Sequence, residues 1–340
     1  MMDGKPSAGE WLVGLIFIGL AVLIGYSLPR ESDMARFADN GGTTAAPAET
    51  QQNAVPAGGG GKKSHSAAKT AFTPPDDSNI PDNDFGKMVK LGQAIFHDTQ
   101  ANAKEFVGND LQCSNCHIDR GRLANSAPLG AAYVAYPAYR SKNDHVNTFQ
   151  ERLQGCFRFS MNGKAPPFND KVLVALESYA YFLAQGLPTG DTKVEGRGYP
   201  ALAKPARFDL QKGEKVYQAK CALCHGANGE GQEAADGSTV FPPLWGPRSF
   251  NWGAGMGSIN NAAGFIKANM PLTQGNSLSD EDAWNVAAFL DSHERPQDPR
   301  FNGSAAETRK KYHDSKMSLY GTKVGDTVLG ENSPPSGTVP

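Results

Sequence analysis

The chain has almost no excess of charge: 33 Lys and Arg against 35 Asp and Glu leave a net −2 over 340 residues. A polyanion or an acidic membrane surface calls for a basic surplus, so bulk charge points to neither nucleic acid nor anionic lipid as a partner. Any attraction for an anion must therefore be local. Cysteine is scarce too, with five in the chain. Four of them fall into two copies of one pattern, Cys113-Ser-Asn-Cys116-His117 and Cys221-Ala-Leu-Cys224-His225, which leaves Cys156 without an obvious disulfide partner. Charge is missing altogether from residues 11–28, an apolar run just long enough to cross a bilayer as a helix. Apolar periodicity is missing from residues 38–80, which are rich in Gly, Ala, Pro, Thr, Ser and Gln and include Gly58 to Gly61. Such a stretch cannot build a core and reads as a flexible tether.

The repeated pattern carries chemistry. A c-type haem needs two thiols two residues apart to bond its vinyl groups, and a histidine directly after the second thiol to reach the iron. Half of a zinc site or a redox disulfide gives no reason for that histidine in both copies. Two covalently bound haem c groups follow, on Cys113 and Cys116 and on Cys221 and Cys224, with His117 and His225 as proximal ligands. Haem is attached to such motifs outside the cytoplasmic membrane, so the bulk of the chain is expected in the periplasm. Residues 11–28 would anchor it there. Cleavage after Ser27 is the competing reading, although the segment before Trp11 carries one Lys against Asp3 and Glu10 and so suits a signal peptide poorly.

Around each motif the chain repeats itself. Gly92 and Phe96 precede the first motif and Gly213 and Tyr217 the second, in each case four apart on one face of a short amphipathic helix. Later helices over 171–184 and 280–292 place Tyr179, Phe182, Trp284 and Phe289 on apolar stripes. An opening helix, a haem motif, a long loop and a closing aromatic helix resemble the class I cytochrome c fold, here twice over. The expected architecture is mainly α. It runs as a membrane anchor or signal segment (1–37), a flexible linker (38–80), a first cytochrome c domain with the active-site haem (81–190) and an interdomain linker (191–206). A second cytochrome c domain with an electron-transfer haem (207–296) and a polar carboxy-terminal tail (297–340) complete it.

What fills the open face of each iron sets its reactivity. For the second haem the candidates are Met270, stiffened by Pro271, and Met256 in reserve; either can equally be a core-filling methionine. For the first they are Cys156 and Met161. A free thiol is an oxidation liability in an exported protein, which favours a purpose for Cys156 over a buried small hydrophobe.

Several segments together look like the dihaem thiosulfate dehydrogenases. They are Arg152 to Gly163 around Cys156, the two haem motifs, Phe241 to Phe250, Gly253 to Met256, and Asn269-Met270-Pro271. The likeness spans about residues 80 to 296. It implies His117 and Cys156 as axial ligands of an active-site haem, and His225 with Met270 on an electron-exit haem. It also implies that Arg152, Ser160 and Arg140 touch substrate, with Lys142 close enough to Arg140 for the two to exchange in alignment. Some members carry a lysine just before the methionine ligand and swap the two with redox state. This chain has Asn269 there, as do members able to run the reaction backwards.

The implied reaction joins two thiosulfate dianions into tetrathionate and hands electrons to a small periplasmic cytochrome. Alternatives are a tetrathionate reductase in the physiological direction and a dihaem electron carrier without substrate chemistry.

Overall fold

The computed structural model describes residues 70–205 and 207–337. It is mainly helical, with three short two-stranded antiparallel ladders. The opening helix, Asp84–His97, starts at Asn83, whose side chain accepts from the Gly86 amide and so satisfies one of the unpaired donors of the first turn. Its buried face, Val89, Gly92, Ile95 and Phe96, lies against the closing helix Lys171–Leu183. The second half repeats the device with helices Leu210–Lys220 and Asp280–Asp291.

Each pair crosses at a glycine. A Cβ added to Gly92 would lie 2.0 Å from the Ala175 carbonyl oxygen, and one added to Gly213 would lie 2.1 Å from that of Asn285. The backbones therefore approach more closely than any side chain permits, which is why the same residue recurs at the same place in both repeats. Gly92→Ala should destabilise the protein by about 3 kcal/mol, as an overpacked crossing does, and thermal unfolding of the variant measures it.

Two apolar clusters form around these crossings. Phe96, Phe157, Leu176 and Tyr179 lie in the first; Tyr217, Ile259, Phe265 and Trp284 lie in the second. The haem motifs sit on one-turn helices, Cys113–Cys116 and Ala222–His225. The segment read as a linker is tied down: the Asn125 and Ala127 amides donate to the Gly196 and Gly198 carbonyls at 2.7 and 3.0 Å, and Tyr199 packs edge-on against Phe265.

The carboxy-terminal stretch, expected as a polar tail, is folded as far as residue 337. It holds the helix Ala305–Tyr312, a ladder of Lys323–Val324 with Thr327–Val328, and a fully buried Tyr320 set against Trp252. Its core is mostly polar, with Gln297, Asp298 and His313 buried and hydrogen-bonded. Hydrophobic periodicity is blind to a core of that kind.

Among the described residues no helix is long and apolar enough to cross a membrane. The expected span, residues 11–28, and residues 38–69 of the tether lie outside them; residues 70–80 are described and include the short turn Asp77–Asn79.

Candidate active site

The segment carrying Cys156 is built from a well-capped helix that then widens. Thr148 and Glu151 cap the helix Phe149–Gly155 reciprocally: the Thr148 hydroxyl accepts from the Glu151 amide at 3.2 Å, and the Glu151 carboxylate accepts from the Thr148 amide at 2.7 Å. From Cys156 to Ser160 the helix opens into a π turn, closed by the Met161 amide donating to the Cys156 carbonyl at 3.0 Å. Such turns insert a residue, re-aim the side chains that follow, and recur at functional sites.

Arg152 lies one turn before the cysteine, and its Nη1 donates to Cys156 Sγ at 3.0 Å. The charge of that sulfur is the foremost cause holding the Arg152 guanidinium protonated beyond its ordinary range. Cys156 also stands beside the first haem motif. Burial, and behind it the charge of Cys156, push up the thiols of Cys113 and Cys116.

The strand Ala138–Arg140 pairs with His145–Asn147 and carries Arg140 at its end. Its Nη1 donates to the Tyr136 hydroxyl at 2.8 Å, and Tyr136 is among the groups whose charge acts on Arg152. Ser160 closes the wide turn, half-buried, with its carbonyl accepting from Asn109 Nδ2 at 2.9 Å. Cys156, Arg152, Arg140 and Ser160 are thus gathered into one neighbourhood.

The residues around both motifs fit haem c. His117 Nδ1 lies 2.7 Å from the Ala127 carbonyl and His225 Nδ1 lies 2.9 Å from that of Pro242. A carbonyl can only accept, so Nδ1 carries the proton and the other ring nitrogen keeps its lone pair for a metal. Burial keeps both rings neutral, lowering His117 to about 4. None of the five thiols is bridged.

Beside the second motif lies an apolar cavity of about 270 Å³. Cys221, Cys224 and His225 line it, with Met256 and Met270 both present in its wall. Cys116 of the first motif borders the same cavity, so the two attachment sites adjoin. Met161, the other sulfur weighed for the first iron, is buried in the first apolar cluster.

Over 265 residues the chain is 65% identical to the thiosulfate dehydrogenase of Thiomonas intermedia, a match covering 78% of this chain and 84% of that protein. The chain belongs to the thiosulfate dehydrogenase family. Another member, from Stutzerimonas stutzeri, is 54% identical over 268 residues, covering 78% of this chain and 87% of its own length. A solved thiosulfate dehydrogenase, TsdBA from Marichromatium purpuratum in its as-isolated form, superposes with a TM-score of 0.74 at 51% identity. That match covers 77% of this chain and 57% of the other. Residues 208–290 also match the family model described as cytochrome C oxidase, cbb3-type, subunit III.

For a thiosulfate dehydrogenase family member, two features stand out. The Asn269 amide, next to Met270, donates to the Asn125 and Phe265 carbonyls at 3.1 and 3.0 Å, so it is committed to bracing the fold. The pocket also holds a cation that sequence reasoning did not place there. Arg300, from the carboxy-terminal segment, lies 5.0 Å from the centre of the Phe159 ring. Lys142, in the hairpin turn after Arg140, lies 4.0 Å over the same ring and donates to the Gly253 carbonyl. Burial of its ammonium group, then the charges of Arg300 and Arg152, lower Lys142 to about 7. Arg300 stands 144 positions from Cys156 in a polar stretch, and no local pattern marks it.

Proposed function

We propose that the protein is a two-haem cytochrome c, built from two class I cytochrome c-like domains, that oxidises two thiosulfate dianions to tetrathionate at Cys156. The observation that carries this reading is the Arg152 guanidinium 3.0 Å from the half-buried Cys156 sulfur, on a re-aimed turn beside a haem motif. An inert core thiol has no use for a guanidinium. A thiolate that must stay charged and meet an anion does.

Cys113, Cys116 and His117, and likewise Cys221, Cys224 and His225, would each hold a haem, which would supply a one-electron acceptor. In this reading His117 and Cys156 would hold the iron of the first, and His225 and Met270 that of the second. The chain's own residues do the rest. Arg152 and Arg140 hold one dianion so that its outer sulfur faces Cys156 Sγ. The thiolate and that sulfur join as a cysteine S-thiosulfonate, releasing two electrons. The outer sulfur of a second thiosulfate attacks the adduct sulfur bonded to Sγ, the Sγ–S bond breaks, tetrathionate leaves, and Cys156 returns as thiolate. Ser160 lies at the end of the same turn, and in this reading its hydroxyl donates to a sulfonate oxygen.

Charge balance governs this site. Two unit charges 4 Å apart repel by about 4 kcal/mol at an effective dielectric constant of about 20, and two dianions contain four such pairs. Local cations are therefore required for the two substrates to meet at all.

We place the protein in the periplasm, with residues 11–28 as its membrane anchor and a small cytochrome as its electron partner. The adjoining haem sites support a short path from the first haem to the second. Tetrathionate-forming activity is tested by counting electrons delivered to an artificial acceptor: one per thiosulfate consumed is expected. Any other stoichiometry would falsify the reaction.

The second haem offers a separate prediction. Met270→Ala should lower its reduction potential and slow electron exit, while Met256→Ala should leave the potential within experimental error, because a thioether ligand raises the potential of haem iron. Spectroelectrochemical titration of the two variants decides between the sulfurs, and the reverse pattern would transfer the role to Met256.

A further inference from the structure

Two arginines balance one thiosulfate dianion, and the proposed reaction brings two. The structure supplies two further cations at the same place. Lys142 Nζ and the Arg300 guanidinium approach one aromatic ring, that of Phe159, at 4.0 and 5.0 Å from its centre. Phe159 sits three residues after Cys156 within the wide turn. Arg300, Arg152 and Arg140 all bear on the charge of Lys142, so the four cations lie within reach of one another's charge. A single carboxylate, that of Asp298, acts on Lys142 against them.

That carboxylate is already engaged. Arg300 Nε and Nη2 donate to Asp298 Oδ1 and Oδ2 at 2.9 and 2.6 Å, and His313 Nε2 lies 2.8 Å from Oδ2. Asp298 is buried and held well below the usual carboxylate range. Hydrogen bonds from Arg300 and His313 hold it there against its own burial. The forked pair leaves Arg300 with part of its donor set uncommitted and fixes the plane of its guanidinium, while Tyr312 stacks on it at 4.1 Å. Crowded like charges raise the energy of a pocket unless something negative enters it. Burial and those neighbouring cations bring Lys142 down to about 7, which shows the crowding.

We infer that Arg300 and Lys142 form the seat for the second thiosulfate dianion, holding its sulfonate end over Phe159 while its outer sulfur is aimed at the adduct on Cys156. Asp298 and His313 are then positioning residues, which act by orienting Arg300. The carboxy-terminal segment thereby completes the substrate pocket. This inference rests on the reaction proposed above and names its second subsite.

The experiment measures thiosulfate saturation of the full holoprotein, with tetrathionate quantified as product. Arg300→Gln and Lys142→Gln should each raise half-saturating thiosulfate about tenfold or more, with maximal turnover within about threefold and both haem spectra retained. Arg300→Lys should recover part of that loss. His313→Asn should show a smaller rise in the same parameter, again without loss of maximal turnover. Sulfate, an inert dianion, should compete with thiosulfate in the native protein and compete less well in Arg300→Gln.

Arg158→Gln is the control, since Arg158 lies on the same turn but is exposed. An equal rise in that variant would show a general field effect and overturn the subsite. So would a folded Arg300→Gln with a rise of less than twofold. Should Arg300→Gln unfold, Lys142→Gln decides by the same criterion. A native protein that forms no tetrathionate would instead overturn the reaction itself, so the two failures are distinct.

Discussion

Cys156→Met should lower thiosulfate oxidation by about 10³-fold or more while both haems stay attached. Methionine retains a soft sulfur able to ligate iron, and Cys113, Cys116, Cys221 and Cys224, which hold the porphyrins, are untouched. What disappears is the thiolate. A thioether has no ionisable sulfur with which to form and release an S-thiosulfonate, so the covalent route closes. The Arg152 guanidinium would also lose its anionic acceptor at 3.0 Å.

Two measurements check this together: thiosulfate-dependent reduction of an artificial acceptor, and haem counting on the purified variant. The variant should also lose the weak near-infrared charge-transfer band of a thiolate-ligated low-spin haem. Activity within tenfold of the native protein, with two haems present, would end the role given to Cys156.

Much of this site was legible in the residues, and the part that was not has a physical explanation. The haem motifs are local, because the thiol spacing and the following histidine fit inside one helical turn. The crossing glycines are nearly so: Gly92 and Gly213 share a helical face with Phe96 and Tyr217, and periodicity finds them. Arg152 and Cys156 are four apart, so helical geometry alone puts them on one face.

Arg300 lies beyond any such rule. It reaches Phe159 only because Asp298 and His313 fold a polar segment back over the turn, and a core of hydrogen bonds leaves no apolar stripe in the sequence. The same holds for the segment expected as the interdomain linker, 191–206. Gly196 and Gly198, both at positive φ, in fact present their carbonyls to the Asn125 and Ala127 amides beside His117.

Arg152→Gln is expected to lower kcat/KM for thiosulfate by about 10²- to 10³-fold, equivalent to about 3–4 kcal/mol. The side chain has two anionic partners in the proposed cycle, Cys156 Sγ while it is a thiolate and a thiosulfate when one is bound. Removing its charge therefore weakens substrate binding and leaves a half-buried thiolate without its donor, so KM should rise and kcat should fall together. That pattern separates Arg152 from Arg300, for which only half-saturation is expected to change.

Arg152→Lys tests geometry against charge. An ammonium is a point donor without the planar fork, so lysine should recover only part of the loss if the guanidinium must reach sulfur and sulfonate together. Full recovery would mean that charge alone suffices. A spectroscopic readout is independent of turnover: without the Arg152 hydrogen bond the sulfur donates more charge, so the potential of the first haem should fall in Arg152→Gln. If Arg152→Gln kept both the native potential and native kcat/KM, the contact seen at 3.0 Å would be a bystander to the chemistry, and the anion pocket would have to be rebuilt around Arg140.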